Sequence, residues 1–171
     1  MKILVTGASG FIGSALLEHL SNIPGFTIVG MLRSMGTNIS NSSVEFRQGD
    51  LDAEKKINVY LNDIDVIIHT AGRAHIMIDD TENSVDEFRR VNTLGTLQLA
   101  QLAADAGVKR FVFLSSIKVN GEYTDLGSPF SILDNEKPID PYGISKHEAE
   151  IGLRKISQET DMQTTIIRLP L

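Results

Sequence analysis

A doubly wound α/β fold built on a parallel sheet is predicted by three observations. Short apolar runs alternate along the chain with segments whose apolar residues recur at helical spacing. The first run, Ile3-Leu4-Val5, leads into a glycine-rich turn, Thr6-Gly7-Ala8-Ser9-Gly10-Phe11-Ile12-Gly13, and a helical pattern follows at once. Later runs such as Asp65-Val66-Ile67-Ile68-His69 are apolar nearly throughout, as in strands covered on both faces.

The N-terminal strand, turn and helix (residues 11–20) set the frame for the rest. Gly7 can adopt backbone angles that a side chain forbids, Gly10 lets the backbone approach a diphosphate, and Gly13 allows close packing of helix on strand. Amides at the helix start would face the anion, and the helix dipole would add to the attraction. Residues 22–25 form a turn and 26–32 a second strand. A polar loop at 33–43 precedes a short strand, 44–48, which ends at Gly49-Asp50-Leu51. Residues 53–61 are expected to be helical and 65–69 a buried strand. A long helix follows over about 81–106, closed by Gly107 as its C-cap. Its stripe of Val85, Phe88, Val91, Gly95, Leu99, Leu102 and Ala106 is assigned to the sheet, with Leu94 and Leu97 as a second apolar patch. Then come a strand at 110–115, an irregular loop at 120–140, a helix at about 141–159 and a last strand at 164–168. Strands alternating with helices and joined by right-handed crossovers make a Rossmann-type sheet, with residues 1–171 as one dinucleotide-binding domain. Ligands of such sheets bind at the C-terminal edge of the strands, where Arg168-Leu169-Pro170-Leu171 lies. The substrate side of such a site usually needs more chain, so a fragment covering the cofactor domain is expected.

Composition narrows the function. A chain of 171 residues with 42% hydrophobic and 22% charged residues is that of a globular domain with one sizeable core. The net charge of −6, without a basic run, argues against nucleic acid as main partner. With no cysteine, disulfides, thiolate catalysis and cysteine metal sites drop out, and the four histidines have no ligand spacing, so no metal is expected. The N-terminus enters a strand directly and no apolar stretch could span a bilayer, which suggests a cytoplasmic protein without membrane contact.

Two further motifs carry chemistry. In Tyr142-Gly143-Ile144-Ser145-Lys146, Asp140 is a plausible N-cap and Pro141 suits the first helical position, so Tyr142 and Lys146 lie four apart on one face. A phenol titrates near 10, and a neighbouring ammonium would lower that value and fit Tyr142 for proton exchange with an alcohol or ketone. The same spacing also occurs in plain surface pairs. In Phe111-Val112-Phe113-Leu114-Ser115-Ser116 an apolar strand ends in hydroxyls at the sheet edge. Ser116 could hold the oxygen of the carbon that exchanges hydride, or satisfy backbone groups where the strand turns.

In order along the chain, TGASGFIG at 6–13, GDL at 49–51, HTAG at 69–72, VNTLGT at 91–96, SSIKVNG at 115–121, YGISK at 142–146 and RLP at 168–170 resemble the NAD-dependent epimerase/dehydratase family, the extended branch of the short-chain dehydrogenases and reductases. The resemblance implies Tyr142 as acid/base, Lys146 as the group that tunes it and binds the nicotinamide ribose, and Ser116 as the residue orienting the substrate oxygen. It also implies cofactor contacts for Phe11 and Ile12 at the diphosphate, Asp50 and Leu51 at the adenine, Ala71, Gly72 and Arg73 along the cofactor, and Asn92 near the nicotinamide ribose. Asp50 could instead cap the following helix, and Asn92 could be a buried structural bridge.

Departures from the family pattern refine the expected reaction. NAD-preferring members carry an acidic residue at the end of the second strand for the ribose 2′-hydroxyl. Gly30-Met31-Leu32-Arg33-Ser34 has none, so Arg33 is assigned to the 2′-phosphate, and NADP is favoured over NAD. The acidic pair that dehydratases carry beside the serine is replaced by Ile117-Lys118, which disfavours dehydration. Hydride exchange at carbon 4 of a nucleotide-linked hexose remains, by a 4-ketoreductase or a 4-epimerase. Arg73, His75 and Lys118 are placed near the substrate, His75 being equally readable as a plain loop residue. The contrasting class is a redox sensor that binds the dinucleotide without turnover, against which the intact Ser116, Tyr142 and Lys146 count. Family members pair their long helix and their tyrosine helix with a second subunit, which implies a homodimer.

Overall fold

In the computed structural model, which describes residues 1–35, 42–52, 57–74, 84–131 and 134–170, the strands are β1 (Lys2–Thr6), β2 (Thr27–Leu32), β3 (Val44–Gln48), β4 (Val66–His69), β5 (Arg110–Ser116) and β6 (Gln163–Leu169). They form one sheet in the order β3-β2-β1-β4-β5-β6 with every pairing parallel. The order reverses between β1 and β4, where Leu4 stands level with Val29 on one side and Ile67 on the other. At that reversal the connections leave in opposite directions, so a crevice opens at the strands' C-terminal ends.

Side chains sort by the two-residue period of the strands. Ile3 and Val5 join Ile28, Leu32 and Leu17 of helix α1 (Phe11–Ser21) on one face. On the other, Leu4, Val29, Ile67, Phe111 and Phe113 pack with Leu99 of α3 (Thr96–Asp105) and with Ala149, Leu153 and Ile156 of the helix at Pro141–Glu159, numbered α4 below. The predicted strands are all present, with ends moved by one or two residues.

Two predicted helices are corrected. The described part of 53–61, residues 57–61, is not helical. Ile57, Leu61 and Ile64 sit in the core instead, and the β-branched Ile57 and Val59 with Asn58 give little helical propensity to oppose this. The long helix is not one α-helix: α2 (Ser84–Phe88) passes into a π-helical stretch, Arg89–Gly95, before α3 begins. The wider turn slips the phase of the helix, so the burial stripe changes. Phe88, Gly95 and Leu99 of the expected stripe are buried and Val91, Leu102 and Ala106 pack against the core partly buried, while Asn92, Thr93, Thr96, Ala100 and Ala103 are buried as well. Gly107 does end the helix, at φ 83°. The proposed second patch also divides. Leu94 is 54% exposed, whereas Leu97 presses on α4, where a Cβ added to Gly152 would come within 2.5 Å of it.

Candidate functional site

The glycine turn owes its shape to close backbone approaches. Gly7 has φ +66°, and a Cβ there would lie 2.8 Å from the backbone of Ala71. A Cβ on Gly13 would overlap the carbonyl oxygen of Gly7, so helix and turn touch only because Gly13 lacks one. Thr70 Oγ1 donates to the Thr6 carbonyl at 2.7 Å, which joins the ends of β1 and β4 beneath the turn. Gly10 begins α1 without a side-chain cap, leaving first-turn amides that have no carbonyl four residues back.

A cleft of about 950 Å³ opens above this turn. It is lined by Gly7, Gly10, Phe11, Ile12 and Gly13, by Arg33 at the end of β2, by Asp50 and Leu51 after β3, and by Ala71, Gly72 and Arg73 after β4. The structure therefore brings together nearly all the residues predicted to hold a cofactor. A backbone cradle without side chains, beside an arginine and next to apolar walls, fits a dinucleotide diphosphate and its flanking rings. Asp50 Oδ1 accepts from the Asp52 amide at 3.1 Å, so it also caps its own turn. Arg73 Nη1 pairs with Glu87 at 2.6 Å. Asn92, by contrast, is a bridge beneath the cleft: its Oδ1 accepts from the Arg73 amide at 2.7 Å, and its Nδ2 donates to the Arg73 carbonyl and to Ser145 Oγ.

Helix α4 starts as its sequence requires, with Pro141 in the first turn and Asp140 accepting from the Gly143 amide at 2.8 Å. Tyr142 is half-buried with its ring edge-on to Phe88 at 5.9 Å, and its hydroxyl makes no hydrogen bond among the described residues. One turn on, Lys146 is 3% exposed, with Nζ 4.0 Å above the Phe113 ring and beneath Gly72 on the cleft wall. Burial pulls the Lys146 ammonium down to about 7, against the opposing pull of the Glu150 carboxylate. The expected lowering of the phenol by Lys146 is corrected. Burial and then the Asp140 carboxylate raise Tyr142, and the cation opposing them is Lys118. Lys118 does not reach out as a lone substrate ligand, since its Nζ lies 2.6 Å from Asp140 Oδ2 and 3.2 Å from Glu122.

The two serines at the end of β5 point to opposite faces. Ser115 Oγ donates to Glu150 Oε1 at 2.6 Å, while Ser116 Oγ accepts from the Lys118 amide at 3.2 Å. His75 lies outside the described residues. Sequence reasoning missed His69, Glu150 and Arg168. His69 is held low, to about 3, by burial and then by Lys146, and its ring meets Thr6 Oγ1 at 2.8 Å and Thr96 Oγ1 at 3.0 Å. Glu150 had a signal, because it continues the four-residue spacing of Tyr142 and Lys146 along a face that is otherwise apolar. Among the described residues no cluster of three or more His, Asp or Glu could hold a metal, and no helix is long and apolar enough to cross a membrane.

Comparison with known proteins gives concordant findings. A family model described as the NAD dependent epimerase/dehydratase family matches residues 3–171. A UDP-glucose 4-epimerase of Vibrio cholerae is 40% identical over 167 residues, 98% of this chain and 50% of that relative. A UDP-glucuronic acid 4-epimerase from Bacillus cereus, solved in complex with NAD, superposes with a TM-score of 0.81 at 26% identity, over 99% of this chain and 56% of its own. A UDP-glucose 4-epimerase from Thermotoga maritima with UDP-glucose gives 0.79 at 28%, over 98% and 55%. The chain spans about half the length of the curated relatives it matches.

Proposed function

The chain belongs to the NAD dependent epimerase/dehydratase family, and from that premise we propose that it serves an NAD(P)-dependent nucleotide-sugar oxidoreductase exchanging hydride at carbon 4 of a UDP-hexose, as 4-epimerase or 4-ketoreductase. One observation carries this reading: the buried Lys146 ammonium stands beneath Gly72 on the wall of the dinucleotide cleft, one helical turn from a tyrosine hydroxyl that has no hydrogen-bond partner among the described residues. When bound, the nicotinamide would supply the hydride acceptor and donor. Tyr142 takes the proton of the sugar hydroxyl and returns it, Lys146 binds the nicotinamide ribose, and Ser116 orients the sugar oxygen. The phenol is raised before ligands bind, so it is a stable proton donor and becomes a base only when a cation stands near it. Lys118, held by Asp140 and Glu122, already acts in that sense.

The 4-epimerase reading draws support from the relatives. The ketoreductase reading draws support from Arg33, which lies exposed on the cleft at the end of β2, where Gly30-Met31-Leu32-Arg33-Ser34 carries no acidic residue for a ribose 2′-hydroxyl. The test is calorimetric titration with NADP and NAD of wild type and Arg33→Ala. Tighter NADP binding, lost by about tenfold or more in the variant as for one charge-assisted contact, is the expected result. Equal or tighter NAD binding would refute the role of Arg33 and move the reading to an epimerase that retains its cofactor. Binding without turnover of any UDP-hexose would leave the dinucleotide sensor as the better reading. A homodimer joined through the faces that carry Leu94 and Ile151 completes the proposal; both residues are more than half exposed.

A further inference from the structure

We propose that Glu150 is a positioning residue for the proton-transfer site: its buried carboxylate ties the end of β5 and strand β6 to helix α4, and so holds Ser116 in place relative to Lys146. The inference rests on the roles given above to Ser116, Tyr142 and Lys146.

Glu150 has no exposed surface, and both its oxygens are fully engaged. Oε1 accepts from Ser115 Oγ at 2.6 Å and from Arg168 Nε at 3.0 Å. Oε2 accepts from Arg168 Nη2 at 2.7 Å and from Arg154 Nη2 at 3.0 Å. Arg168 continues the network to Asn120 Oδ1 at 3.0 Å and Glu136 Oε1 at 2.8 Å, the two sides of the loop that leads to Asp140 and α4. Burying a carboxylate and a guanidinium costs solvation that only a well-made pair recovers, and apolar residues of equal volume often serve stability as well or better. What apolar residues lack is direction. The Glu150 bonds specify the register of three elements at the point where Ser115 adjoins Ser116, and Glu150 lies one helical turn from Lys146. The titratable group acting on Lys146 is Glu150 on its own helix, and Lys146 in turn lowers His69 of β4. Those around Glu150 are Arg168, Arg154 and, behind Arg168, Glu136.

Two readouts that need neither cofactor nor substrate test this: the NMR titration of the Lys146 side chain, assigned with Lys146→Met, and hydrogen exchange of the Lys118 amide, which is bonded to Ser116 Oγ. Glu150→Gln is expected to lower the Lys146 midpoint by about one pH unit, as for loss of a nearby opposite charge. Glu150→Asp keeps the charge and is expected to hold the midpoint. Ser115→Ala leaves all charges in place, and it is expected to speed Lys118 exchange by about tenfold, as for loss of one well-placed hydrogen bond, while exchange at Leu4 in β1 is unchanged. An unmoved midpoint in a folded Glu150→Gln overturns the proposal, as does uniform acceleration of all core amides in Ser115→Ala. Should Glu150→Gln not fold, Ser115→Ala alone decides by the same criterion. Tyr142→Phe, assayed alongside, judges the catalytic reading separately: undiminished turnover would sink that reading, whereas the two NMR readouts decide the role of Glu150.

Discussion

Lys146 combines an ammonium group with near-complete burial, and its titration should be visible in the stability of the protein. Its folded value of about 7 lies below the ordinary 10.5, mainly through loss of solvent. Between those values the unfolded chain binds more protons than the folded one, so this residue makes stability rise with pH over that window. Below about 7 both states are protonated and the full cost of burying the charge is present. Lys146→Met should therefore be more stable than wild type near neutral pH, and the difference should shrink toward pH about 10, as urea midpoints along a pH series would report. The Tyr142–Lys146 spacing could be read from the sequence, but the direction of the Tyr142 shift could not. It is set first by burial of the ring and then by Asp140, with Lys118 opposing, and these reach the phenol from outside that spacing.

Among the elements, α4 carries its own start signal, and changing it has two separable effects. Asp140 both caps the helix through the Gly143 amide and anchors Lys118. Asp140→Ala should cost about 1 kcal/mol of stability, as for loss of an N-cap. It should also let the Tyr142 phenol titrate at lower pH, because the carboxylate that raises it is gone and the opposing Lys118 cation is no longer neutralised by it. Ultraviolet titration of the phenolate against a Tyr142→Phe control measures the second effect, and thermal melts measure the first. The helix before β5 shows what a period cannot reveal. Val91, Leu102 and Ala106 fit the 3.6-residue stripe, yet the π-helical stretch turns Asn92, Thr93 and Thr96 inward, where Ser145 and His69 supply their hydrogen bonds. Arg89 binds Glu148 of α4 with two of its nitrogens, at 2.9 Å from Nε and 2.6 Å from Nη2, and so braces that stretch from outside.

For the molecule as a whole, the cleft joins both halves of the sheet, so a ligand there should stabilise the entire fold. Dinucleotide at one hundred times its Kd should raise unfolding free energy by about 2.7 kcal/mol. Gly10→Asp should remove that gain by setting a carboxylate against the diphosphate, while leaving the unliganded melting temperature within a few degrees, since the added Cβ meets only the Gly7 oxygen at 3.2 Å. A ligand-induced gain that survives in the variant would place the binding elsewhere. Assembly is testable at the same scale. Leu94→Glu should convert a dimer to a monomer in light scattering without loss of helix, because Leu94 is exposed. Leu97 would be an uninformative choice, since it is packed against Gly152 of α4.

The amino-acid sequence by itself determined the order of the strands along the chain, the glycine turn and the start and end of the helices at Asp140 and Gly107. Each rests on local causes: apolar period, the freedom of glycine, or a cap within three or four residues of the group it satisfies. It also placed Tyr142, Lys146 and Ser116 in motifs whose meaning is carried by neighbours in the chain. Only the tertiary structure decided that Asn92 bridges to Arg73, that Lys118 is the cation acting on Tyr142, and that Ser115 rather than Ser116 is committed to Glu150. Those outcomes are set by partners from 19 to 35 residues apart or by a phase slip within one helix, and electrostatic and hydrogen-bond energies depend on distance in space, which separation along a chain does not encode.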